Sequence, residues 1–286
     1  MKKILFLSLL ISFLFAQGSV KIIGLDSDGN PSSLKMTKEG AILTEDGLSI
    51  AQGEIAKHSA IYKFGFNSTV GTSEEVIWDG GNGYSGFLTT DSNVTVVSTS
   101  VDDADQGTGA WNVIVFGVDS DFNEVVDTLT LNGTTPVVST VEFRRVFRAY
   151  VLHAGDLSPT GGVNAGTLTI ASQVSGTPTM AQILPNNGQT LMAIYTVPNG
   201  YTGYITNADA NVGSGKDATV RLKSRTFGAN KPFLNKATRL LFENSFTRVY
   251  NVYRPIPAKT DIIMTAFTST GTVGVSASFE IILVRD

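Results

Sequence analysis

The chain of 286 residues has no cysteine, two histidines and two tryptophans, and these shortages remove whole classes of chemistry. Without cysteine there is no disulfide, no thiolate nucleophile and no zinc–sulfur site. An extracellular setting stays open, because disulfides are needed mainly by domains too small to bury a sufficient core. His58 and His153 are the only imidazoles, so a two-histidine metal centre would need both to converge from distant segments. Long helical periodicity is also missing.

What is present is strand. From Tyr62 to Val284 short runs rich in Val, Thr, Ile and Phe alternate with Gly, Asn, Asp or Pro about every ten residues. In the run from Thr272 to Ile281 apolar residues alternate with small or polar ones, so that one face can enter a core. Many such strands at regular spacing predict an all-β fold: two tandem β-sandwich (jelly-roll-like) domains preceded by an extended N-terminal arm. Tyr62-Phe64-Phe66, Val94-Val96, Trp111-Val113-Val115, Val125-Leu129-Leu131, a long strand from Val141 to Leu152, and Thr167 to Ala171 mark the first domain, over 59–178. The second, over 179–286, takes Leu191 to Val197, Tyr201 to Thr206, Ala218 to Arg225, Thr247 to Tyr253, Asp261 to Thr268 and Thr272 to Val284. Asn132-Gly133 predicts a hairpin. Pro255 and Pro257 belong at an edge or a crossing between sheets, since neither can donate to a central ladder.

Ahead of these domains, Met1-Lys2-Lys3 and the apolar stretch Ile4 to Ala16 give residues 1–17 the form of a secretory signal, too short for a comfortable membrane span. Cleavage would leave a mature chain starting near Gln17; a retained hydrophobic arm and a wrong start codon are the rival readings. Residues 18–58 read as an arm with a small hairpin from Lys35 to Leu43, ordered by a partner.

The net charge of −4 conceals a division. Residues 1–178 hold 10 Lys and Arg against 19 Asp and Glu, a balance of −9, whereas residues 179–286 hold 11 against 6, a balance of +5. Opposite charge of this kind could serve head-to-tail contacts in an assembly.

Motifs with chemical content are incomplete. Asp119 to Glu124 and Asp26 to Asn30 begin as calcium loops do but lack the glycine at position six and the glutamate at position twelve; side-chain-to-backbone turns explain them better. A cation at Asp102, Asp103 and Asp105 is equally weakly supported. Val212 to Asp217 lacks the phosphate-loop spacing and reads as a hairpin. No catalytic, cofactor-binding or metal residue is assigned, and the chain is read as a non-enzyme. Two contact features remain. Arg221, Lys223 and Arg225 alternate on one strand face, suited to an acidic neighbour; nucleic acid is excluded by the acidic whole and by the lack of a recognition motif. Trp78 and Tyr84, among glycines, and Tyr201 and Tyr204, beside another turn, are possible loop contacts for protein or a host surface glycan, although core packing is favoured for the same rings, above all the tryptophans.

Residues 60–173, above all Gly71 to Gly81 and Asp121 to Thr134, and residues 189–286, above all Tyr195 to Tyr204, Ser214 to Arg221 and Phe279 to Val284, resemble a group of tailed-phage virion proteins common among marine viruses. The resemblance implies a virion structural protein, a head decoration or fibre component, that forms a homo-oligomer and attaches to other virion proteins such as the major capsid protein. Analogy to fibres and decorations points to a trimer. The alternative is a secreted bacterial surface β-sandwich binding protein or adhesin, on which the signal-like start bears.

Overall fold

A computed structural model describes residues 23–25, 31–33, 47–81, 83–155, 163–213 and 215–286. The described residues up to Ser49 and those from Ile50 to Asp286 belong to two units. In the first, β1 (Ile23–Leu25) pairs antiparallel with β2 (Pro31–Ser33). The signal-like segment and the expected hairpin from Lys35 to Leu43 lie outside the described residues, and α1 (Gly47–Ala51) is a single helical turn.

Everything else described in regular structure is antiparallel sheet, so the chain is all-β. One sheet has the order β11 (Thr179–Ile183), β10 (Leu168–Ser172), β5 (Ser92–Ser98), β8 (Val137–Phe143); another runs β7 (Glu124–Thr130), β6 (Ala110–Val118), β9 (Arg145–Ala154). Their inner faces share a core that includes Val94, Val96, Val113, Val115, Leu168 and Ile170. A third sheet runs β16 (Ser245–Ile256), β13 (Tyr201–Val212), β18 (Val273–Arg285), β3 (His58–Val70). The fourth is β12 (Ile194–Thr196), β17 (Thr260–Phe267), β14 (Asp217–Thr226), β15 (Leu234–Phe242), with β4 (Glu75–Val76) continuing the edge that β12 begins. These two enclose a second core around Val220, Leu222, Met264, Phe279 and Ile281.

The cores do not partition at residue 178. β3 and β4 hydrogen-bond with β18 and β17, while Met192, Ile194 and Ile263 pack in the core of the β5–β11 strands. The path of β3 depends on Gly65, where a Cβ would collide with the Ala193 backbone nitrogen and the Ile77 carbonyl oxygen; only glycine permits that approach. The apolar triplet of β3 also faces the other way from a core strand: Tyr62 and Phe66 are exposed, and the buried positions are Lys63, Gly65 and Asn67.

Two turns read as hairpins carry the chain between sheets instead. Asn132-Gly133 links β7 to β8, and Gly213 to Lys216 links β13 to β14, in each case strands of opposite sheets. The expected strand from Val141 to Leu152 is two, broken at Arg144 where the chain leaves one sheet of the first sandwich for the other. Pro255 sits on the edge strand β16, and Pro257 on the crossing from β16 to β17.

Just past the break at Arg144, Arg145 is 2% exposed, its Nε donating to Asp261 Oδ1 at 2.9 Å and its Nη2 to Oδ2 at 3.1 Å. Asp261, fully buried on β17, also accepts from Arg225 of β14 at 2.8 Å and from the Thr196 hydroxyl of β12 at 2.8 Å. Arg145 donates further to the Leu88 and Arg144 carbonyls. Removing one partner of such a pair strands a buried charge, whereas replacing the pair with apolar groups need not destabilise. Asp261→Ala is therefore expected to cost about 3–5 kcal/mol in urea unfolding, and adding Arg145→Met should recover part of it. No recovery in the double variant would contradict this account.

Candidate functional site

The basic stripe grows directly from strand alternation. Along β14, Ala218, Val220, Leu222 and Ser224 face the core and Arg221, Lys223 and Arg225 face outward. Their partners are within the chain. Arg221 Nη1 lies 2.8 Å from Glu74 Oε2 and Lys223 Nζ 3.1 Å from Oε1, where the Thr265 hydroxyl donates as well at 2.6 Å. Burial alone would raise the Glu74 pKa, but Thr265, Lys223 and Arg221 together outweigh it and hold the carboxyl below its ordinary value. Arg225 pairs with Asp261 and stacks over Phe233 at 4.3 Å and Phe87 at 4.8 Å. The stripe thus joins β14 to the segment before β4 and to β17, and its charges are already answered.

The aromatic pair divides similarly. Trp78 is buried, and its ring folds over Gly80, which has no side chain to obstruct it. Its Nε1 donates to the Gly81 carbonyl at 3.1 Å. Tyr84 packs edge-on against Trp78 at 5.2 Å and against Phe87 at 4.9 Å, and Phe87 meets Phe233 at 5.1 Å. The Tyr84 hydroxyl is within reach of the Val146 and Met180 carbonyls, and burial raises its pKa. These glycines make room for rings rather than displaying them. Tyr201 packs partly buried against the other core, and Tyr204 stands half-buried opposite Pro255 and Ile282; the structure does not bring the four aromatics together.

The acidic motifs behave as backbone supports. Asp103 is fully buried, accepting from the backbone nitrogens of Ala110, Ala165 and Gly166 at 2.8 Å and from the Ser98 hydroxyl at 2.5 Å. Those four donors occupy the Asp103 lone pairs that a cation would need. Asp119 Oδ1 accepts from the Asp121 and Asn123 backbone nitrogens at 2.9 Å, fixing the β6–β7 turn. Among the described residues no group of three His, Cys, Asp or Glu is placed to hold a metal ion. The loop at Asp26 to Asn30 lies outside them.

One recess escaped sequence reasoning. A cavity of about 480 Å³ lies between β3 and the outer face of the β7–β6–β9 sheet, lined by Lys63, Phe116, Glu124, Arg148, Tyr150 and Tyr195 among others. Lys63 donates to the Phe147 carbonyl; burial, aided by Arg148, lowers its pKa to about 7. The Tyr195 hydroxyl is buried without a hydrogen-bond partner among the described residues, and burial raises its pKa. Partial burial raises Glu124 at the mouth. A lysine inside the apolar triplet of β3 was the available signal, since alternation puts it opposite the rings.

No protein-family model matches the chain, and no curated protein matches it. Two solved structures of infectious bursal disease virus show a remote likeness. The Gt strain structure is 12% identical, with 80% of this chain and 73% of that chain covered and a TM-score of 0.21. The Gx strain structure is 10% identical, covering 80% and 82%, with a TM-score of 0.11. Likeness this slight carries no argument about fold or function.

Half-buried Asp79 and buried Lys63 make stability depend on pH in opposite ways. Desolvation raises Asp79, 3.3 Å from the Leu191 backbone nitrogen, from 3.8 to about 7. Between those values the folded chain keeps a proton that the unfolded chain has lost, so stability falls as pH rises. Lys63, lowered from 10.5 to about 7, is neutral in the folded chain where it is charged in the unfolded one, so stability rises from pH 7 towards 10.5. Urea midpoints measured against pH should lose their acidic slope in Asp79→Asn and their alkaline slope in Lys63→Met. An alkaline slope unchanged in Lys63→Met would refute the desolvation of the Lys63 amine.

Proposed function

We propose that this chain is a virion structural protein that works by assembly with copies of itself, as a head decoration or fibre component, and not by catalysis. The observation that carries the reading is where its surface is unsatisfied. Most of the charged groups singled out by motif are bonded within the fold, whereas large apolar side chains stand exposed on the outer strands of the second sandwich, at Leu234, Leu240, Phe242, Val249, Val252 and Tyr253. Concentrated exposed apolar surface marks interaction sites. The sequence resemblance to tailed-phage virion proteins gives the setting, and attachment to a major capsid protein follows from it.

Mass spectrometry of purified particles from the source tests the setting. The polypeptide should be found in stoichiometric amounts with the other structural proteins; its consistent absence would overturn the virion reading. N-terminal sequencing of the protein from its natural source separates the secreted alternative, which requires a chain starting near Gln17.

A further inference from the structure

The outer strands β15 and β16 form one side of the second sandwich, and that side is basic as well as apolar. Lys236, Arg239, Arg248 and Arg254 stand on it with Glu243 as the sole acid of the two strands and their connection, and none of these cations forms an ion pair among the described residues. Between the two strands lies a recess of about 170 Å³, floored by Ile205, Leu222, Tyr250 and Ile256 and flanked by Lys236 and Arg254. β16 cannot easily accept another strand along its edge: Asn207 faces Val249 and Ile205 faces Arg254, so Tyr250 to Tyr253 bulge against Thr206 alone, and Pro255 follows. Bulges, prolines and edge cations block strand addition. Whatever covers this side must therefore do so through side chains.

The complementary side lies on the first sandwich. Residues 64–143 contain 12 Asp and Glu and not one Lys or Arg. Within that stretch β7 and β8 are the edge strands of their two sheets and run beside each other, joined where Asp127 accepts from the Thr140 backbone nitrogen and hydroxyl. They expose Glu124 and Glu142 beside Val126, 47% exposed, and Val138, 52% exposed.

We propose that the β15–β16 side of one copy docks on the β7–β8 side of a second copy of this chain, an exposed valine entering the recess and the flanking carboxylates meeting Lys236 and Arg254. The proposal rests on the assembly reading above and names its interface. Because the two sides differ, the contact is heterologous, and copies joined head to tail close into a ring or extend as a filament.

Two charge-reversed proteins test it by sedimentation at low salt: Lys236→Glu/Arg254→Glu, and Glu124→Lys/Glu142→Lys, with circular dichroism confirming that each folds and Glu142→Lys alone as the milder substitute for the second. Each alone opposes like charges and should associate at least about 100-fold more weakly than the unaltered chain. Their equimolar mixture restores opposite charge at every contact and should assemble, and added salt should weaken the unaltered assembly. Folded variants whose mixture stays dissociated would overturn the pairing. An assembly indifferent to all the substitutions would overturn the interface while leaving the assembly reading intact, and an unaltered chain that remains monomeric at low salt would overturn both.

Discussion

The buried carboxylate of Asp261 is the point on which the arrangement of the two sandwiches depends. It receives Arg145 from β9 in one sandwich, and Arg225 and Thr196 from β14 and β12 in the other. The guanidinium of Arg145 is further enclosed by the rings of Phe87, Phe122 and Phe227 at 5.4 to 5.9 Å. A charge so thoroughly removed from water is tolerable only in one geometry. The node therefore does more to specify how β9 meets β17 than to add net stability. β3 and β4 reinforce it covalently, since they precede the first sandwich in sequence and hydrogen-bond with strands of the second.

Strand existence was legible because a period of two is visible without knowing the partner. β5, β14 and β18 follow the alternation of apolar with small or polar residues, the turn at Asp119 follows its Asx chemistry, and Pro255 and Pro257 fall at an edge and a crossing as their missing N–H requires. Partner choice was not legible. The Asn132-Gly133 turn has the same local chemistry whether the chain returns to its own sheet or crosses to the opposite one, and the break at Arg144 interrupts no apolar pattern. The faces of β3 were also ambiguous, because rings at Tyr62 and Phe66 suggest a core whereas the constraint that decides the matter, the close passage of Gly65 over Ala193 and Ile77, comes from residues far along the chain.

Most of the candidate contact residues are engaged within the fold, for a related reason. Arg221, Lys223 and Arg225 form a stripe in sequence, but sequence does not reveal that Glu74 and Asp261 lie across it. Trp78 and Tyr84 look mobile among glycines until the ring of Trp78 is seen to need the space over Gly80. The charge division survived better, since a count along the chain does not depend on pairing. Once the internal ion pairs are set aside, what remains is an acidic two-strand side on one sandwich and a basic, apolar two-strand side on the other.

We propose that this residual polarity joins copies head to tail. An electron cryomicroscopy map of the assembled protein tests it most directly. The account predicts that neighbouring copies bring Lys236 and Arg254 of one chain against Glu124 and Glu142 of the next, with the β15–β16 side covered. A map in which that side faces solvent in every copy would contradict it.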